Sequence, residues 1–216
     1  FIKSILLDSI TSITDLFSLN NVGVVTSRDS FVIDESISVL SNRMRDFFTL
    51  EKELLKSKYG VRENKSWRID DVKKQASTFK PTNIQKISYR PFDNRFLYYN
   101  DNFVERSRTE VMQHFTIGEN IGLTLCKQFK TGDNYVHAFV ANKVIESSYV
   151  SNRTSEITST FPLYIYPESS EQQTIKQDTD RKPNLRTVIV NQITERIGST
   201  FTNEKETIEN TFAPVD

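Results

Sequence analysis

Ile87-Ser-Tyr-Arg-Pro-Phe-Asp-Asn-Arg-Phe-Leu-Tyr-Tyr99 is the stretch that decides the fold. Ile84–Tyr89 and Arg95–Tyr99 are short runs of β-branched and aromatic residues, which read as strands. A polar turn is expected between them. Arg90 or Arg95 with Asp93 is expected to lock that turn, with Tyr98 and Tyr99 in the core. Downstream, Ile121–Gln128, Tyr135–Val140 and Phe161–Tyr166 have the same character. Asn100–Asn102 and Thr131–Asn134 read as turns, and Thr109–Phe115 as a short helix. Upstream, the pattern changes period. Ile37, Leu40, Met44, Phe47 and Phe48 recur at helical spacing behind a candidate cap at Asp34. Leu50 to Tyr59 continues helically up to Gly60, and Ser66 is expected to cap a helix from Trp67 to Ala76.

The expected class is therefore α+β (mixed): N-terminal helices, then a mostly antiparallel, aromatic-rich sheet with interspersed helices. Regular strand–helix alternation, the mark of a doubly wound sheet, is missing. Three parts are expected. Residues 1–34 form a linker-like lead-in with a strand at Val22–Thr26 and a turn at Ser27–Asp29. Residues 35–78 are helical, and 79–216 form an α/β domain. Within the last, 168–184 is polar enough for a surface loop, and Leu185 to Ile197 is an amphipathic helix stopped by Gly198.

Composition narrows the function classes. The chain has 216 residues, 37% hydrophobic and 26% charged, a globular profile. Its formal charge is zero, yet residues 1–153 hold 22 basic against 18 acidic side chains, and 154–216 hold 6 against 10. That split permits one basic face. A single cysteine, Cys126, excludes a disulfide framework and a multi-cysteine zinc site. It is expected to be a buried structural thiol. No apolar run approaches the roughly 20 residues that span a bilayer, so no membrane partner and a cytoplasmic setting are expected.

Catalytic signals are sparse. Only His114 and His137 could supply an imidazole base, and neither stands in a metal-ligand pair, so both are expected to be structural. Six glycines in the whole chain leave no phosphate-cradling loop and no self-contained nucleotide or S-adenosylmethionine site. What stands out is a polar, aromatic and basic constellation: residues 88–99, Val104-Glu-Arg-Ser-Arg-Thr109, Lys127-Gln-Phe-Lys-Thr-Gly132 and Ser147-Ser-Tyr-Val-Ser-Asn-Arg-Thr-Ser155. Arginine forks suit phosphate oxygens and guanine edges, and Gln or Asn suit adenine edges.

These segments, in this order, resemble the C-terminal specificity domain of type ISP restriction–modification enzymes. Residues 87–99 carry the strongest likeness. Val22–Asp34, Arg106-Ser-Arg-Thr-Glu-Val-Met-Gln-His114, Asn120–Leu123, Lys127-Gln128, Phe161–Tyr166 and Phe212–Asp216 fall where the family has similar runs. Arg106-Ser-Arg108 departs from a proline-containing Arg-Pro-Arg-like run, which touches the geometry of that loop.

The resemblance implies sequence-specific recognition of double-stranded DNA, with no catalytic residue, cofactor or metal in this chain. Both ends are expected to be cuts inside a longer polypeptide, with a methyltransferase domain upstream and the last helices of the domain missing. The parent would be an adenine-N6 DNA methyltransferase with ATP-dependent nuclease activity, using S-adenosylmethionine, ATP and Mg. Arg106, Arg108, Lys127 and Lys130 are the implied phosphate contacts, and Gln128, Asn152 and Arg153 the implied base contacts. Arg90, Asp93 and Arg95 are implied to lock a turn near the interface. The alternative is an interdomain coupling module that docks through residues 88–99 and touches no DNA.

Overall fold

A computed structural model of the chain describes residues 12–128, 130, 135–151, 156–167, 181–203 and 211–214. Along it run α1 (Ile13–Leu16), β1 (Asn21–Val22), α2 (Asp29–Val32), β2 (Ile33–Asp34), α3 (Ile37–Thr49), α4 (Lys52–Tyr59), α5 (Ile69–Ala76), β3 (Ile84–Arg90) and β4 (Asp93–Tyr98). Then come α6 (Thr109–Met112), β5 (Gly122–Cys126), β6 (Ala138–Ala141), β7 (Val144–Ile145), β8 (Thr158–Pro162), β9 (Tyr164–Ile165), β10 (Lys182–Pro183), α7 (Thr187–Ile197), β11 (Thr200–Phe201) and β12 (Thr211–Phe212). The class is mixed α+β, as the sequence pattern indicates.

Among the described residues, two four-stranded sheets organise the chain, ordered β2-β4-β3-β7 and β1-β8-β5-β6. The second is antiparallel throughout, and the first is antiparallel except for β3 with β7. The β3–β4 hairpin turns through Pro91 and Phe92, with a register shift between Ser88 and Arg90.

Residues 21–25 stitch the sheets together. Asn21 and Val22 pair with Thr160 and Ser159 in the second sheet. Val24 then bridges Glu146 at the end of β7, and Val25 bridges Arg106. The expected strand Val22–Thr26 is thus divided between two partners.

The helices cover the first sheet. Leu40, Met44 and Phe47 of α3 are buried, at i, i+4 and i+7 on one stripe. Phe47 meets Phe103 and Phe103 meets Tyr98, each with ring centroids 4.8 Å apart. Edge-on pairs of this kind add about 0.5–1.5 kcal/mol each beyond the area they bury. One buried cluster contains residues from α3, α4, α5, the hairpin and β7.

Several boundaries differ from the expectations, for local reasons. Asp34 does not cap α3. Its pairing with Phe96 holds it extended in β2, and Ser36 becomes the cap. The Asp34 carboxylate instead takes the Arg43 guanidinium and the Ser36 N–H. Leu50 is extended (ψ 152°), so α3 and α4 are separate helices. The third helix starts at Ile69, because Trp67 turns into the core and its Nε1 donates to the Asn102 carbonyl at 2.8 Å. Glu63, rather than Ser66, accepts the Ile69 N–H at 3.0 Å.

In the second half, residues 135–137 precede β6 without joining it, and Leu163 breaks the run 161–166 into β8 and β9. The two-residue β7 is too short to show any alternation in sequence. The turn expected at 131–134 and residues 168–180 of the expected loop lie outside the described residues, while Lys182–Pro183 pairs with β9. Helix α7 ends at Gly198 in the left-handed conformation (φ 69°). Among the described residues no helix is long and apolar enough to cross a membrane.

Glu63 also carries a pH signature. Lys52 above all, then the Ile69 N–H and Lys56, hold its carboxyl down to about 2 from an ordinary 4.5, with burial opposing them. A lowered carboxylate stabilises the fold fully above the unfolded value and loses that contribution as pH falls towards 2. With solvent screening allowed for, the contribution is about 1 kcal/mol. In urea unfolding at pH 6, Glu63→Gln should fall below the parent by that amount and converge with it near pH 2. A constant difference at both pH values would contradict this origin.

Candidate nucleic-acid interface

The strand directions gather the candidate segments at one rim. β3, β7 and the Val24–Val25 stretch run parallel, so the hairpin turn, Ser147 and Thr26 all follow at the same end. In the second sheet, Cys126 pairs with Thr158, which puts the residues after β5 and those before β8 at that end too.

Two basic loops occupy the rim. The first is Arg106-Ser-Arg108. Glu105 and Arg106 N–H both donate to the Val25 carbonyl, at 2.9 and 3.0 Å, and Val25 N–H returns a bond to the Arg106 carbonyl at 3.0 Å. Arg106 is exposed. Arg108 is half-buried, left-handed (φ 54°), and its Nε has no hydrogen-bond partner among the described residues.

The second loop follows β5, where Lys127, Gln128 and Lys130 are exposed. Buried Glu156 accepts the Lys130 N–H at 3.0 Å, and Tyr135 Oη donates to the Cys126 carbonyl at 2.9 Å. Asn152 and Arg153 lie outside the described residues.

The hairpin beside these loops is charge-matched. Asp93 takes Arg95 through Nε (3.0 and 3.1 Å) and Nη2 (2.9 Å), and Arg95 reaches Glu35 at 3.3 Å. Arg90 does not take Asp93. It pairs with Glu146, a buried carboxylate that also accepts Ser147 Oγ at 2.8 Å and the Ser148 N–H at 2.7 Å. Both guanidinia stack on Tyr89, at 4.1 and 4.5 Å from the ring centroid. Arg106, Lys127 and Lys130, by contrast, have no acidic partner among the described residues.

Three rim features escape a reading of the sequence. Phe92 is 94% exposed and left-handed (φ 65°), touching the Phe139 ring edge-on at 6.2 Å. A proline-led turn between two strands is the signal that could have exposed it. Glu146 gives a weaker sign, an acid following Val144 and Ile145. Arg28 gives none. It is buried, 4.2 Å from the Trp67 ring centroid and 3.6 Å from Glu105, and its Nη1 donates to the Thr26 carbonyl at 3.3 Å.

Elsewhere the polar groups serve the fold. His114 is buried and its Nδ1 accepts the Tyr166 N–H at 3.1 Å, while burial lowers its pKa and favours the neutral ring. Cys126 is buried at the end of β5, and burial pushes its thiol up. Among the described residues no cluster of three or more His, Cys, Asp or Glu could hold a metal ion.

The sequence pattern of the Type ISP C-terminal specificity domain matches residues 15–211. No curated protein matches the chain. Among solved structures, it is similar to a chain of the cryo-EM DrdV–DNA complex, with TM-score 0.58 and 19% identity over 85% of this chain and 18% of that one. It is also similar to the ATP-dependent Type ISP restriction–modification enzyme LlaBIII bound to DNA, with TM-score 0.61 and 14% identity over 85% of this chain and 12% of that one. A nuclease-deletion mutant of the Type ISP enzyme LlaGI, in complex with a DNA substrate mimic, gives TM-score 0.54 and 18% identity over 87% and 15% of the two chains. At such identities the likeness concerns the fold, and this chain spans less than one fifth of each of those chains.

Proposed function

Because the chain belongs to the Type ISP C-terminal specificity domains, we propose that it is the target-recognition module of a restriction–modification enzyme and reads double-stranded DNA through the rim of basic loops. One observation carries this reading. Arg90 and Arg95 are matched with acids, whereas Arg106, Lys127 and Lys130 are exposed, on loops bonded through their backbones to Val25 and to the Glu156 carboxylate. Unmatched cations facing outward suit a phosphate backbone, where they release counterions.

Arg106, Arg108, Lys127 and Lys130 take the phosphate role in this reading, and Gln128, Asn152 and Arg153 the base-edge role. A methyltransferase elsewhere in the parent polypeptide would extrude the target adenine and modify its N6. S-adenosylmethionine, ATP and Mg belong to other parts of that parent, which would work in the cytoplasm, and no residue of this chain is assigned to them.

Fluorescence anisotropy with a labelled duplex of about 30 base pairs tests the reading. Binding should weaken steeply with salt, each phosphate contact contributing about 0.9 to the log–log slope. The variant Arg106→Ala/Lys127→Ala/Lys130→Ala should bind about 50-fold more weakly at low salt and flatten the slope by roughly 2 to 3. An unchanged affinity and slope would sink the reading. That result would favour the alternative, an interdomain coupling surface, for which the exposed Phe92 speaks.

A further inference from the structure

Two stretches far apart in sequence, Val25–Asp29 and Asn102–Thr109, hold one another in place beneath the arginine loop. Their backbones exchange the three bonds between Val25 and Glu105–Arg106. Beyond the pairing, each contains a non-glycine residue in the left-handed region, Ser27 (φ 55°) and Arg108 (φ 54°). Such conformations persist where the surroundings over-determine them.

Two side chains do the over-determining from below. Tyr99 Oη donates to the Ser107 carbonyl at 2.8 Å, the peptide between the two arginines. Burial pushes this phenol up to about 12, so it stays a donor through the physiological range. Arg28, stacked on Trp67, faces Glu105 at 3.6 Å. Trp67 is itself tied to the Asn102 carbonyl at 2.8 Å. The Tyr99 and Trp67 hydrogen bonds end on backbone carbonyls of residues 102–107 and the Arg28 ion pair on Glu105, and none of these three contacts involves the Arg106 or Arg108 side chains.

We propose that Tyr99 and Arg28 are positioning residues of a preorganised phosphate clamp, holding residues 105–108 so that Arg106 meets the duplex without first being ordered. The proposal rests on the reading of Arg106 as a phosphate contact. A cation on a fixed backbone gives up little freedom on binding, and the same cation on a slack loop gives up much of what the contact contributes.

The test is a double-mutant cycle in the 216-residue chain, read by duplex anisotropy at about 50 mM salt, with thermal unfolding recorded for every variant. Arg106→Ala should weaken binding about 10-fold and flatten the salt slope by about 0.9. Tyr99→Phe, which removes only the hydroxyl, should weaken binding about 5-fold. Together they should cost about 10-fold rather than 50-fold, because a slack loop has already forfeited the Arg106 contact. Arg28→Met provides a second route to the same coupling, independent of Tyr99.

Tyr98→Phe is the control. It deletes a hydroxyl bonded to Lys80 and Asn83, at 3.2 and 3.4 Å, away from the loop, and should show no coupling to Arg106. If Tyr99→Phe and Arg28→Met each add independently to Arg106→Ala, they serve stability alone and the proposal is overturned. If Arg106→Ala changes neither affinity nor slope, the phosphate reading of Arg106 fails first and takes this proposal with it.

Discussion

Gly23→Ala should lower the unfolding free energy by about 2–5 kcal/mol, from strain of about 1–3 kcal/mol and one or two weakened hydrogen bonds of about 1 kcal/mol each. A Cβ placed on Gly23 would lie 2.6 Å from the Glu146 carbonyl oxygen, 2.7 Å from its carbon and 2.7 Å from the Ile145 oxygen. All three are backbone atoms, so no side chain can swing aside. Relief requires parting the stitch between the sheets, where Val24 N–H meets the Ile145 oxygen at 2.7 Å and Gly23 N–H meets Thr158 at 3.2 Å.

Gly60→Ala separates this cause from backbone conformation. Gly60 is left-handed (φ 64°) with nothing within 4 Å of the added carbon, and its replacement should cost only about 1 kcal/mol. Urea unfolding of both variants decides the matter. A Gly23→Ala loss no larger than the Gly60→Ala loss would mean that the sheets part easily and that residues 21–25 do not hold them.

The same stretch shows what a single sequence can and cannot convey. The β-branched run 22–26 announces extended chain, but nothing local says that one half pairs with β8 and the other with β7, because pairing is a long-range choice. Helix α3 was legible because three apolar side chains at helical spacing need one buried face, whatever the partner. Its cap was not, since a strand contact with Phe96 takes Asp34 away.

At the rim, residue chemistry pointed to the basic loops, and topology then gathered them. The division of labour among the arginines could not be read in advance. Arg90, Arg95, Arg106 and Arg108 look alike in sequence. Only the fold brings Glu146, 56 residues away, to Arg90, while Arg106 has no acidic partner among the described residues.

That division supports the other large prediction. Glu146→Ala should destabilise the chain by about 3–4 kcal/mol, the cost of leaving one member of a buried ion pair alone. The Glu146 side chain is only 6% exposed and that of Arg90 22%, so water cannot fully replace the lost partner. Ser147 Oγ and the Ser148 N–H lose their acceptor as well. Arg90→Met should cost a similar amount, because it strands the carboxylate. The double variant Arg90→Met/Glu146→Leu should recover much of either loss, since removing both charges also removes their desolvation cost.

Urea unfolding around this cycle gives the coupling directly, and single losses under about 1 kcal/mol would show that both groups hydrate freely. DNA binding by the double variant links the cycle to function. An arginine committed to Glu146 has no charge to offer a phosphate, so the salt slope should match the parent's even with Arg90 gone. A slope flatter by about 0.9 would instead count Arg90 among the phosphate contacts and dissolve the distinction between cations that hold the hairpin and cations proposed to face the duplex.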